Sequence, residues 1–170
     1  LIERRTGNLN VMTTTNVSLQ RAFDDSQLQD ATIRLEFINN DGGRVYTSDG
    51  IYIVKVKYID NKISEILFFD SVETLMDSNA ITPVYINGGF CGIRIEYNGE
   101  FEVKRTYLQW DGVAYLPTIT IDGYASVEFL DFNRYGNPTR TIYKDVQGKR
   151  CKHKNGNYGF KSEYDEDGFE

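Results

Sequence analysis

Tyr52-Ile53-Val54-Lys55-Val56-Lys57-Tyr58, then Ile59-Asp60-Asn61, then Ile63-Ser64-Glu65-Ile66-Leu67-Phe68-Phe69: this stretch reads as one β-hairpin. In its first run apolar and charged residues alternate, the period-2 signature of a strand with one buried face. Asp60-Asn61 supplies a polar turn, and a second β-rich run returns from it. The same order recurs downstream. Gly92-Ile93-Arg94-Ile95-Glu96-Tyr97 leads through Asn98-Gly99 into a run over 101–108, and Gly159-Phe160-Lys161-Ser162-Glu163-Tyr164 leads into Asp165-Glu166-Asp167-Gly168.

The recurrence has a register. Asp49-Gly50, Asn87-Gly88, Asp122-Gly123 and Asn155-Gly156 are each followed, eight or nine residues after the glycine, by an aromatic: Tyr58, Tyr97, Phe132 and Tyr164. These anchors are 39, 35 and 32 residues apart, and Phe68, Tyr107 and Tyr143 follow the first three at 10, 10 and 11 residues. Self-similarity at such a period marks a repeat architecture in which hairpins are kept and connecting loops vary. The fold expected is all-β, consecutive antiparallel hairpins forming a meander or solenoid-like sheet over residues 50–170. The fourth unit is cut at Glu170, so the natural protein is expected to continue. Its last strand, 159–164, is then an open edge disposed to self-association. Ser162→Pro is expected to remove one donor from that edge.

Residues 1–49 match the repeat loosely and are read as a capping segment, because a repeat array must close its terminal apolar face. Ile33-Arg34-Leu35-Glu36-Phe37, Asn40-Asp41-Gly42-Gly43 and Arg44-Val45-Tyr46 make one hairpin. Over 16–30, Leu19, Ala22 and Phe23 stand at helical spacing behind the capping candidates Asn16 and Ser18, which fits a short helix; a polar loop fits nearly as well. Ser71-Val72-Glu73-Thr74-Leu75-Met76 offers one more helical turn.

The run Tyr164-Asp165-Glu166-Asp167-Gly168, with Phe132-Asn133-Arg134-Tyr135-Gly136-Asn137, resembles the tandem repeats of bacterial proteins described as YD or Rhs-like. It is also similar to the Tyr-Asp-x-x-Gly-Asn arrays of bacterial surface proteins. At Tyr58 and Tyr97 the turns are shorter than in that pattern. The resemblance implies a structural role: a β scaffold for display, encapsulation or carbohydrate contact.

Composition narrows the function classes. A chain of 170 residues with 40% apolar residues, 12 Tyr and 10 Phe suits one globular domain or two very small ones. No apolar run approaches the roughly 20 residues that cross a bilayer as a helix, so no membrane insertion is expected. A net charge of −6 and a pI near 4.9 oppose the phosphate attraction that begins most nucleic-acid binding. No P-loop and no Gly-x-Gly-x-x-Gly after a strand occurs, so no cofactor is called for. The chain opens Leu1-Ile2-Glu3-Arg4-Arg5, without the pattern of a signal peptide, as an excised module or mature fragment would.

Catalytic chemistry has few carriers. Cys91 and Cys151, 60 positions apart, read as two separate thiols. His153 is the one histidine, and two residues from Cys151 on a strand it would point the same way, allowing a thiolate–imidazolium pair aided by the cations around it; a solvated loop with an incidental cysteine is the plainer alternative. Structural zinc lacks ligands. Asn39-Asn40-Asp41-Gly42 and Asp165-Glu166-Asp167-Gly168 invite calcium but do not fit a twelve-residue loop, and hairpin-turn chemistry explains them. Five cations over 144–154 against Asp145 form a solvated rim or a contact for an anionic polymer.

The remaining lead is aromatic. Tyr107, Trp110, Tyr115 and Tyr124 lie around one connection, and such rings either pack across strands or stack on sugar faces. The function expected is a non-catalytic binding or scaffolding module of a larger bacterial, surface-associated protein, with protein or carbohydrate as partner. The alternatives are an accessory β-sheet domain of a multidomain enzyme such as a glycosyltransferase, and an acidic immunity-type inhibitor.

Overall fold

The computed structural model describes residues 10–13, 30–39, 41, 43–70 and 83–165. Among these the chain is all-β with antiparallel pairing throughout, and it divides into two compact units, Leu1–Ile86 and Asn87–Glu170. No helix among the described residues is long and apolar enough to cross a membrane.

In the first unit β1 (Asn10–Thr13), β2 (Asp30–Ile38), β3 (Ile53–Ile59) and β4 (Lys62–Phe69) follow one another in the sheet as in the chain. The β3–β4 hairpin turns on Asp60 and Asn61 at φ 50° and 63°. A two-residue turn that matches strand twist needs left-handed backbone at both positions, which Asp and Asn tolerate best among residues with a Cβ. Val54 and Val56 are buried with Ile51, and Leu35, Phe37, Tyr58 and Ile66 pack on them. Each such aliphatic contributes about 1.5–3 kcal/mol by leaving water. Lys55 and Lys57 alternate to the other face, Lys55 lying over the Phe69 ring at 5.1 Å.

The N-terminal expectations meet the structure unevenly. Asp30 opens β2, while the rest of 16–30 and the whole of 71–76 lie outside the described residues. The hairpin expected between 33–37 and 44–46 shrinks to one bridge, Ile38 to Arg44, and a Val45 N–H donated to Phe37 C=O at 3.0 Å. The full partner of β2 is β3, because the tight turn at 39–43 is followed at once by a second turn that brings residue 52 alongside Phe37.

The second unit holds β5 (Gly92–Asn98), β6 (Phe101–Trp110), β7 (Tyr115–Pro117), β8 (Ser126–Phe132), β9 (Pro138–Lys144) and β10 (Gly159–Lys161), in the order β5-β6-β8-β9-β10. β7 and β8 share one side of β6: β7 pairs with residues 108–110 and β8 with 104–106. β10 is shorter than the expected 159–164, although Ser162 still donates its N–H to Thr139 C=O at 3.0 Å.

A single hydrogen-bond pattern builds three of the passages from one strand pair to the next. Phe37 donates its N–H to Tyr52 C=O and accepts from Val45 N–H; Tyr107 does the same with Ala125 and Thr118, and Tyr143 with Tyr158 and Cys151. Between donor and acceptor lies a five-residue turn, at 47–51, 120–124 and 153–157. In each the first N–H donates to the fifth C=O, and the fourth residue, a glycine at φ 82°, 93° or 88°, donates to the first C=O. Left-handed backbone there costs any residue with a Cβ about 1–2 kcal/mol. Turns 133–137 and 145–149 repeat this geometry with Gly136 and Gly148.

A β-bulge completes the passage. Tyr52 donates to Phe69 C=O although the register partner of Phe69 is Ile53, so two residues oppose one. Cys91 and Gly92 oppose Leu108 in the same way, as Ala125 and Ser126 oppose Lys144. Tyr52, Cys91 and Ala125 are 4%, 0% and 0% exposed, whereas Tyr158, the fourth equivalent, is 42% exposed.

The anchors take matching register, with two adjustments. Tyr58 and Tyr97 each follow a bulge and stand one pair before the end of their hairpin. Phe132 is displaced by one residue because Asp131, at φ 55°, is an extra left-handed residue before it. Asn87-Gly88 is likewise one residue out of phase, since the left-handed glycine is Gly89, at φ 82°.

Candidate functional site

β6 sorts the four candidate rings by strand parity. Tyr107 and Trp110 are three residues apart on one strand and so leave it on opposite faces. The structure accordingly makes two pairs of the four.

Trp110 and Tyr115 are direct partners across the β6–β7 hairpin, their rings 4.8 Å apart and inclined at 47°. Trp110 is 36% exposed. The tip beyond them is braced by Asp111, whose carboxylate accepts the N–H of Val113 at 2.8 Å and of Ala114 at 2.7 Å. Those two donors, Ala114 first, hold the Asp111 carboxyl below the usual carboxylate range. Thr118 donates to Gln109 at 3.2 Å on the opposite face of the hairpin, and Val113 and Leu116 are exposed. The result is a partly exposed ring pair next to a braced β-tip.

Tyr107 and Tyr124 belong to a ladder of rings. Phe90 meets Tyr107 at 4.7 Å, Tyr107 meets Tyr124 edge-on at 5.7 Å, and Tyr124 stacks on Tyr143 at 4.5 Å. His153 closes the end of the ladder, 5.8 Å from Tyr124 and 5.3 Å from Tyr143. Burial, then the neighbouring Tyr107, pushes the Tyr124 phenol well above the ordinary tyrosine range. Burial, then Asp122, pushes the Tyr143 phenol up as well.

The expected cysteine–histidine pair takes another form. Neither Cys151 nor His153 lies on a strand: His153 opens the 153–157 turn and Cys151 lies just before it. Cys151 Sγ faces Gly123 C=O at 3.7 Å, and burial, then Asp145, raises its thiol pKa, opposite to the depression that nearby cations were expected to cause. The cations act elsewhere: Lys144 pairs with Glu128 at 3.1 Å, Lys154 with Asp122 at 2.6 Å, and Arg150 and Lys152 lie over the Tyr158 ring at 5.2 and 5.5 Å. His153 Nδ1 accepts the Asn155 N–H at 3.0 Å. Both cysteines are free thiols.

The described part of the first Asn and Asp cluster serves a turn. Asn39 Oδ1 accepts from Asp41 and Gly43 N–H, at 3.1 and 2.7 Å. Asn40, Gly42 and residues 166–168 lie outside the described residues. Among those described, no group of three or more His, Cys, Asp or Glu side chains is placed to hold a metal ion.

Sequence reasoning passed over His153 as a turn-forming side chain. Its place is the first of a five-residue turn, where Thr47, Asn133 and Asp145 also accept backbone N–H groups. Aligning 153–156 with 145–148 on their glycines exposes that equivalence. No protein-family model, no curated protein and no solved structure matches this chain.

Proposed function

We propose that the chain is a non-catalytic binding or scaffolding module whose hairpins hold a carbohydrate-contacting ring pair, Trp110 with Tyr115, on the β6–β7 tip. The observation that carries this reading is the partly exposed ring pair itself, its rings 4.8 Å apart next to the tip that Asp111 braces. Partly exposed aromatic ring faces suit stacking on the apolar face of a sugar. The YD-like turns support placement in a larger bacterial, surface-associated protein.

Trp110 is the sole tryptophan, so its fluorescence reports the tip alone. Titration with neutral and acidic oligosaccharides should give a saturable emission change with at least one class, abolished by Tyr115→Ala. A flat response to every class at millimolar concentration would remove carbohydrate contact from the account.

A further inference from the structure

We propose that two copies of the chain associate through β10, the strands running antiparallel about a two-fold axis with Lys161 of one opposite Glu163 of the other. Tyr158 C=O and Ser162 N–H point to β9, where they meet Tyr143 N–H and Thr139 C=O. The alternation of an antiparallel ladder therefore turns the N–H and C=O groups of Gly159, Lys161 and Glu163 to the opposite side, where no strand pairs with them among the described residues. Ser162 is thus an inward donor, and Ser162→Pro would damage the β9–β10 ladder and not the edge.

The internal passages show what this edge lacks. Tyr52, Cys91 and Ala125 each donate an N–H to the next hairpin, at Phe69, Leu108 and Lys144. Tyr158, in the same position, has no such acceptor among the described residues, and its ring is exposed. Gly159 is obligatory at this place: its φ is 144°, and a Cβ would lie 2.0 Å from Thr141 C=O.

Charge selects the occupant and the register. Lys161 and Glu163 are exposed, neither makes an ion pair among the described residues, and their side chains share one face. Opposing 161 to 163 across a two-fold axis forms two Lys–Glu pairs at once and sets Phe160, 46% exposed, against Tyr164 of the second copy. The neighbouring two-fold register would oppose Lys161 to itself, which like-charge repulsion disfavours.

The test is sedimentation of the full chain over a concentration series, with circular dichroism to confirm folding. Lys161→Glu and Glu163→Lys should each weaken the dimer about tenfold, since each converts two opposite-charge pairs to two like-charge pairs. Mixing the two variants should restore dimer as a heterodimer, and the double variant carrying both changes should dimerise like the parent. A parent that stays monomeric throughout, single variants that dimerise unchanged, or a mixture that stays monomeric would overturn the proposal.

Discussion

Tyr143 N–H donates to Tyr158 C=O at 3.2 Å, and that bond repeats Phe37 to Tyr52 and Tyr107 to Ala125. In each case the donor lies within a strand, and the acceptor immediately precedes the strand that pairs with it. The chain is thus repetitive in its backbone connections, while the side chains at equivalent places range from Tyr52 to Ala125.

The five-residue turns should respond to glycine substitution in a graded way. Gly50 and Gly123 are both left-handed, but a Cβ on Gly50 meets nothing within 4 Å, whereas one on Gly123 comes to 3.2 Å from Lys152 C=O. Gly50→Ala should cost about 1–2 kcal/mol and Gly123→Ala more, read from urea unfolding midpoints. Equal losses would mean that the 120–124 turn relaxes away from Lys152.

His153 holds two contacts that substitution separates. His153→Ala loses the ring stack and the acceptor for Asn155 N–H; His153→Asn loses the stack but keeps an acceptor of the kind Asn133 supplies in its own turn. The Asn variant should be the more stable of the two by about 1 kcal/mol in thermal or urea unfolding. If the two unfold alike, the Nδ1 contact contributes nothing.

The tyrosine ladder predicts an alkaline signature. Burial raises the Tyr124 and Tyr143 phenols in the folded chain. Because the neutral form is favoured by folding, their stabilising contribution is complete below the ordinary tyrosine pKa of 10.0 and is lost as pH rises through the folded values. Tyrosinate absorbance should therefore rise in two phases, the later coinciding with unfolding. Tyr124→Phe should shrink that later phase, and a single phase near the ordinary value would contradict the ladder.

Two anchors can be compared directly. Phe132 stacks on Phe101 at 4.9 Å, and Tyr164 donates its hydroxyl to Pro138 C=O at 3.0 Å. Phe132→Ala should cost about 2 kcal/mol, less than a fully buried phenylalanine, and Tyr164→Phe about 1 kcal/mol, both from denaturant unfolding. A Tyr164→Phe loss as large as that of Phe132→Ala would show that more than one hydrogen bond depends on the Tyr164 hydroxyl.

Much of this was legible from local rules. The alternation around Lys55 and Lys57 marks a strand, and Asp60-Asn61 marks a tight turn, because strand parity and left-handed tolerance are properties of single residues. Parity on one strand also separates Tyr107 from Trp110 without coordinates. Other features depend on distant neighbours. Of the adjacent Gly88 and Gly89, the left-handed one is Gly89; a Cβ on Gly88 would lie 2.4 Å from the Phe90 ring. Asp131 adopts φ 55° beside an ion pair with Arg140 on the paired strand, at 2.8 Å. The ring ladder unites residues from Phe90 to His153, which no local pattern connects.

Amide hydrogen exchange on dilute, monomeric protein tests the repeated passage most directly. The N–H groups of Phe37, Tyr107 and Tyr143, and those of Tyr52, Cys91 and Ala125, should exchange slowly, while the Tyr158 N–H, which has no counterpart acceptor among the described residues, should exchange fast. Slow exchange at Tyr158 to match Tyr52, or fast exchange at Phe37 and Tyr107, would contradict the account.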